Sequence, residues 1–131
     1  MPLSRQRRFP RSRASVRDAR DFVIQVLTEW GTRDRLDDIR LCASELATNA
    51  LLHGVPTGRE YSVTVSWDDK VIRLSVRDSG GGTPAPRDPG SEECTGRGLL
   101  LVRAVADDLG VTEHTVGKSV WACFTTSSTP R

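Results

Sequence analysis

The chain has 131 residues, 37% of them hydrophobic and 27% charged, and a formal net charge of +2. That length gives one domain, with a core large enough to need neither metal nor disulfide support. No apolar run approaches the about 20 residues of a membrane span, and no apolar stretch follows the basic N-terminus as a secretory signal requires, so a cytoplasmic protein is expected.

Cys42, Cys94 and Cys123 lie far apart. An odd count with no close pair speaks against a disulfide framework or a zinc site, and His53 and His114 are too few for a histidine-rich metal centre. Residues 1–20 carry seven arginines and one aspartate, while the rest carry 12 basic and 16 acidic side chains. Residues 1–12 read as a solvated, partly ordered basic arm. Phe9 is its one aromatic, so there is no stacking series and nucleic-acid readout is not expected.

From Ala14, the residues Val16, Ala19, Phe22, Val23, Val26, Leu27 and Trp30 recur in steps of three and four. This predicts a helix with one core-facing stripe, capped by Ser12 or Ser15 and stopped at Gly31. A second helix is predicted from about Asp34 or Arg35, with Thr32 or Asp34 as cap and Gly54 and Pro56 as stop. Its apolar set is Leu36, Ile39, Ala43, Leu46, Ala47 and Ala50. Tyr61 to Trp67 alternates strictly and predicts a half-buried strand. A tight turn at Asp68-Asp69-Lys70 leads to a second strand, Val71 to Asp78. Residues 79–92 hold four glycines and three prolines and fit no regular element. A third helix is predicted from Gly98 to Leu109, ended by Gly110. Two strands follow, Val111 to Thr115 and Lys118 to Thr125, with a turn at Val116-Gly117. Ser127 to Arg131 read as a disordered tail. This order predicts an α/β two-layer sandwich, a mostly antiparallel mixed sheet covered on one face by helices.

Four features carry possible chemistry. Glu45, Asn49 and His53 are spaced by four and share one side of the second helix, beside its apolar stripe. Asp78 continues the inward phase of Ile72, Leu74 and Val76. A carboxylate there is costly unless it accepts hydrogen bonds, and a base's exocyclic amine is one donor that fits. The glycines after it, Gly80 to Gly82, permit close approach of a ligand to the backbone. Gly96-Arg97-Gly98-Leu99 opens the third helix, where backbone N–H groups suit an anion and Arg97 adds charge. Gly117-Lys118-Ser119 opens the last strand and by itself reads as a hairpin turn.

Taken in order, Glu45-Leu-Ala-Thr-Asn49-Ala, Asp78-Ser-Gly80-Gly-Gly82 and Gly96-Arg-Gly98-Leu99 resemble the N, G1 and G2 boxes of one ATP-binding superfamily. Its members include gyrase, the heat-shock chaperone, histidine kinases and mismatch-repair proteins (the GHKL superfamily, with the Bergerat-type fold). The resemblance runs from about Ser12 to Thr125. Ala43-Ser-Glu-Leu-Ala-Thr-Asn-Ala-Leu-Leu-His-Gly54 is closer still to the anti-sigma-factor serine/threonine kinases and the small ATP-binding regulators of actinobacteria.

The resemblance implies ATP and Mg²⁺ as ligands, with Asn49 helping to hold Mg²⁺ on the triphosphate and His53, on the same side of the helix, also binding the nucleotide. It implies Glu45 as general base and Asp78 as acceptor of the adenine amine. Gly80 and Gly82 would lie close to the nucleotide. Gly96, Arg97, Gly98 and Leu99 would face the phosphates, and residues 83–97 would form the ATP lid. Ser119 is placed where many relatives have a threonine that contacts adenine through water. Leu100 departs from the G2 pattern, where many relatives have glycine. The partners implied are an antagonist protein bearing the phosphoacceptor and a sigma factor or similar regulator, with a homodimer as the assembly. A non-catalytic, ATP-dependent protein-binding switch is the alternative.

Overall fold

The computed structural model describes residues 2–53, 59–78 and 99–130. In chain order the elements are β1 (Leu3–Pro10), α1 (Arg13–Trp30), α2 (Leu36–His53), β2 (Glu60–Asp68), β3 (Val71–Arg77), a helix α3 at residues 99–105, β4 (Asp108–Glu113) and β5 (Lys118–Thr125). The strands form one sheet of order β1-β2-β3-β5-β4, with every neighbouring pair antiparallel. The two-layer arrangement expected from the sequence is present, with α1, α2 and α3 contributing to the core on one face.

The periodicities explain the layers. Val23, Val26 and Leu27 of α1, together with Ile39, Ala43, Leu46 and Ala47 of α2, are buried. They meet the inward residues of the strands: Val63 and Val65, Ile72, Leu74 and Val76, and Val120, Ala122 and Phe124. Val102 of α3 completes this core. Ser12 caps α1, its hydroxyl accepting from the Ser15 N–H at 3.2 Å. Gly31 ends α1 at φ 78°, in the left-handed region that glycine enters without steric cost. The turn between β2 and β3 puts Asp69 at φ 53°, a conformation aspartate tolerates better than most residues.

The first twelve residues depart from expectation. The arm is not a loosely ordered terminus: β1 pairs along its whole length with β2, from Leu3 opposite Trp67 to Pro10 opposite Glu60. Phe9 anchors it, 2% exposed, with its ring centroid 5.9 Å from those of both Phe22 and Tyr61. Arg5, in the same phase as Phe9, pairs with Glu29 of α1. The strand was illegible because arginines occupy the inward positions between Leu3 and Phe9. At a sheet edge such residues remain solvated and discourage pairing with other chains.

The end of the third helix is also different. The helix stops at residue 105, and Leu109 and Gly110 lie within β4. Asp107 makes the break: its N–H donates to the Cys123 carbonyl at 2.9 Å, and its carboxylate accepts from the Thr125 N–H at 2.6 Å and from Arg35 at 2.7 Å. Gly110 serves packing rather than helix termination, because the ring of Trp121 lies against it where a Cβ would stand. Arg73 stacks on the same indole, 4.5 Å from its centroid.

Neither Thr32 nor Asp34 is seen to cap α2. The Asp34 carboxylate accepts from the Thr126 hydroxyl at 3.0 Å, from the Ser127 N–H at 2.9 Å and from the Ser127 hydroxyl. The expected disordered tail therefore begins with two fastened residues, and Thr126 is buried.

Two outcomes follow from this geometry. Gly110→Ala drives a methyl into the Trp121 ring and costs about 1–3 kcal/mol, read as a lower urea midpoint with an altered tryptophan emission. Asp107 is held below the usual carboxylate range by the Thr125 N–H, then by Arg35; Asp34 is lowered by Ser127, then Thr126. A depressed folded-state value contributes stability that is present above the unfolded value, about 3.9, and is lost as pH falls through the folded one. The urea midpoint of Asp107→Asn therefore lies below wild type at pH 7, and the gap narrows as pH is lowered below about 4.

Candidate functional site

One end of the sheet gathers the chemistry. β3 ends at Arg77, and Asp78 follows it opposite Lys118, the first residue of β5. The Asp78 N–H donates to the Lys118 carbonyl at 3.0 Å, and the Lys118 N–H donates to Asp78 Oδ1 at 3.1 Å. Asp78 is 6% exposed, as the inward strand phase predicted. A carboxylate in that place is stabilised by what it accepts, and one backbone donor is already in position.

α2 reaches this same end. Its last residue, His53, connects to Glu60 at the start of β2, and that part of β2 pairs with the end of β3, Ser62 opposite Arg77. Asn49 lies one turn before His53 and is 6% exposed. Glu45, a turn earlier on the same side, is half-buried. Leu46, Ala47 and Ala50 hold the adjoining face of α2 in the core, so the polar side is fixed by packing. Leu99 begins the described part of α3 and packs against the core edge, while Leu100 is largely exposed.

Gly80, Gly82, Gly96, Arg97 and Gly98, with the 83–97 segment, lie outside the described residues. Asn49, Glu45 and Asp78 come from two elements, α2 and the exit of β3, that converge on one end of the sheet.

Ser119, the second residue of β5, is buried, at 7% exposed. It stands opposite Arg77 on β3 and Thr112 on β4, in phase with Trp121 and Cys123. Those residues belong to the face away from the helices, whereas Val120, Ala122 and Phe124 belong to the core. Ser119 is thus out of phase with Val76 and Val120. Its hydroxyl meets His114 Nε2 at 2.8 Å. The residue on the Asp78 side is Lys118.

The other groups constrain the chemistry. Cys42 on α2 is fully buried, and burial pushes its thiol up to about 12, too high for a nucleophile. Among the described residues no three His, Cys, Asp or Glu side chains are grouped to hold a metal ion.

The Histidine kinase-like ATPase domain family matches residues 9–124, and the chain belongs to that family. Individual relatives are more specific. The anti-sigma F factor of Bacillus licheniformis is 30% identical over 90 residues, which are 61% of this chain and 62% of that protein. The anti-sigma F factor of Geobacillus stearothermophilus is 43% identical over 56 residues, 40% of this chain and 38% of that protein. The chain thus aligns with about three-fifths or less of these relatives' length. Among solved structures, the RsbU and RsbW domains of Rv1364c from Mycobacterium tuberculosis superpose with a TM-score of 0.66 at 20% identity, covering 100% of this chain and 34% of that one. That likeness shows a shared fold.

Ser119→Ala separates the two faces experimentally. Loss of its bond to His114 costs about 1 kcal/mol of stability. Amide and imidazole NMR shifts move at His114 and Thr112, while those of Asp78 and the Val76 methyls stay in place.

Proposed function

We propose that this chain is an ATP-dependent protein serine/threonine kinase of the anti-sigma-factor type. It would act in the cytoplasm on a hydroxyl of a small antagonist protein and bind a sigma factor or similar regulator, working as a homodimer. The observation that carries the reading is the nearly buried Asn49 amide on α2, one turn after Glu45, at the end of the sheet where the buried Asp78 carboxylate emerges. The anti-sigma F factors among its relatives support the same reading.

Each residue then has a role set by its place. Asp78 accepts from the exocyclic amine of adenine and fixes the base. Asn49 offers its amide oxygen to Mg²⁺ on the triphosphate; when bound, that ion neutralises charge on the phosphoryl oxygens. Glu45 takes the proton of the acceptor hydroxyl as its oxygen bonds to the γ-phosphorus. The bond from the γ-phosphorus to the bridging oxygen breaks, and ADP leaves with that electron pair. Phosphoryl transfer asks little more of a protein than positioning and charge stabilisation.

Two variants test the proposal together. Mg-ATP at about 100 times its dissociation constant adds roughly 2.7 kcal/mol to wild-type stability, a shift of several degrees in Tm. Asp78→Asn loses this shift. Glu45→Ala keeps it but loses transfer of labelled phosphate to the acceptor by about 10²–10⁴-fold, the usual worth of a general base. Retained transfer in Glu45→Ala removes the assigned base. A Tm shift with no transfer by wild type to any partner supports the binding-switch reading instead.

A further inference from the structure

The sheet face turned away from the helices carries a charged row across its first three strands. Ser62 of β2 stands opposite Arg8 of β1 on one side and opposite Arg77 of β3 on the other. Each alternates with residues of the core: Phe9 beside Arg8, Tyr61 and Val63 beside Ser62, and Val76 beside Arg77. Arg8, Ser62 and Arg77 therefore share the outer face. Directly opposed side chains leave the sheet about 4.5–5.5 Å apart, so a hydroxyl stands between two guanidinium-bearing stems about 10 Å apart. The row borders a cavity of about 550 Å³, whose wall includes Arg8, Arg59, Glu60, Ser62, Arg77 and Asp78. That volume is in the range of small-molecule sites. The three arginines outnumber the two carboxylates, and none of the ion pairs among the described residues takes them. Asp78 already accepts the Lys118 N–H. The backbone under both arms is fixed, by the burial of Phe9 next to Arg8 and by the exchange of hydrogen bonds between Asp78 and Lys118 next to Arg77.

Two guanidinium forks and a hydroxyl supply more donors than one carboxylate accepts, since its two oxygens lie in one plane and are matched by a single fork. A phosphate group has tetrahedrally placed oxygens and up to two negative charges. It accepts one fork from each side and a further bond from the hydroxyl between them. We infer that Arg8, Ser62 and Arg77 form a binding site for the phosphate groups of a small molecule on the outer face of the sheet. Arg59 adds a third cation to the wall of the same cavity. The site uses none of the residues assigned to ATP and does not rest on that assignment.

The test titrates sodium pyrophosphate, without Mg²⁺, into the full chain at about 0.15 M salt, where charges more than about 8 Å apart at the surface are screened. Backbone amides and arginine Nε–H groups are followed by NMR. Saturable shifts are expected at Arg8, Ser62 and Arg77. Arg8→Gln and Arg77→Gln each weaken binding about tenfold or more, as expected for loss of a charge-assisted hydrogen bond. Arg17→Gln, at an exposed position on α1, leaves the affinity unchanged. Circular dichroism confirms that each variant is folded. Unchanged affinity in both Arg8→Gln and Arg77→Gln overturns the inference, as do shifts that grow without saturation at arginines throughout the chain. Shifts confined to α2 and Asp78 overturn it too, because they put pyrophosphate in the nucleotide site alone. An oligoglutamate peptide that binds this row as tightly as pyrophosphate overturns the phosphate assignment in favour of an acidic protein segment. Failure of the nucleotide reading, seen as no Mg-ATP shift in wild-type Tm, leaves this inference standing.

Discussion

Arg35 joins parts of the chain that are far apart in sequence. Its guanidinium donates to the Val105 carbonyl at 2.7 Å, to Asp107 at 2.7 Å, to the Thr125 carbonyl at 2.9 Å and to Asp38 at 3.0 Å, and it lies 5.4 Å from the Phe124 ring centroid. The start of α2, the end of α3 and the end of β5 thus meet at one planar group. Arginine suits this place because its fixed fork of donors serves two carboxylates and two carbonyls while its flat face covers an aromatic ring. Lysine offers neither the fork nor the face. The carbonyl at the end of α3 would otherwise lack an intrahelical partner, and Arg35 supplies one.

This junction lies at the end of the sheet away from Asp78. α2 begins beside Arg35 and carries Glu45 and Asn49 toward the other end, so one helix links the fastened end to the chemical end. A helix rises about 1.5 Å per residue, so the ten residues from Arg35 to Glu45 span about 15 Å. The polar side chains depend for position on the packing of Leu46, Ala47 and Ala50 and on the anchored start of the helix, rather than on bonds of their own.

Much of this was legible in the sequence. The helical stripe of α1, the alternation of β2 and β3 and the bounds of β5 follow from periodicity, because each has one face in the core and one in water. Asp78 could be found because an acid in an inward phase is rare. What escaped had competing signals. β1 has arginines in its inward phase, so its strand character depends on Leu3 and Phe9 near its two ends. Leu109 and Gly110 continue a helical spacing from Val102, but Asp107 is claimed by Thr125 and Arg35, and these long-range bonds end the helix. In both cases the deciding contact comes from residues distant in sequence, which local pattern does not contain.

The pairing of β1 with β2 also has a consequence in time. β1 is made before β2, which ends at Asp68, after two complete helices. At about 5–20 residues per second, synthesis leaves the finished first strand without its neighbour for roughly 3–12 seconds. A strand of alternating large apolar residues would spend that interval as a sticky template. Leu3-Ser-Arg-Gln-Arg-Arg-Phe-Pro10 instead waits as a charged, soluble segment that can bury one aromatic ring when the sheet arrives. The arginines that conceal the strand from a reader of the sequence also protect it from premature association in the cell.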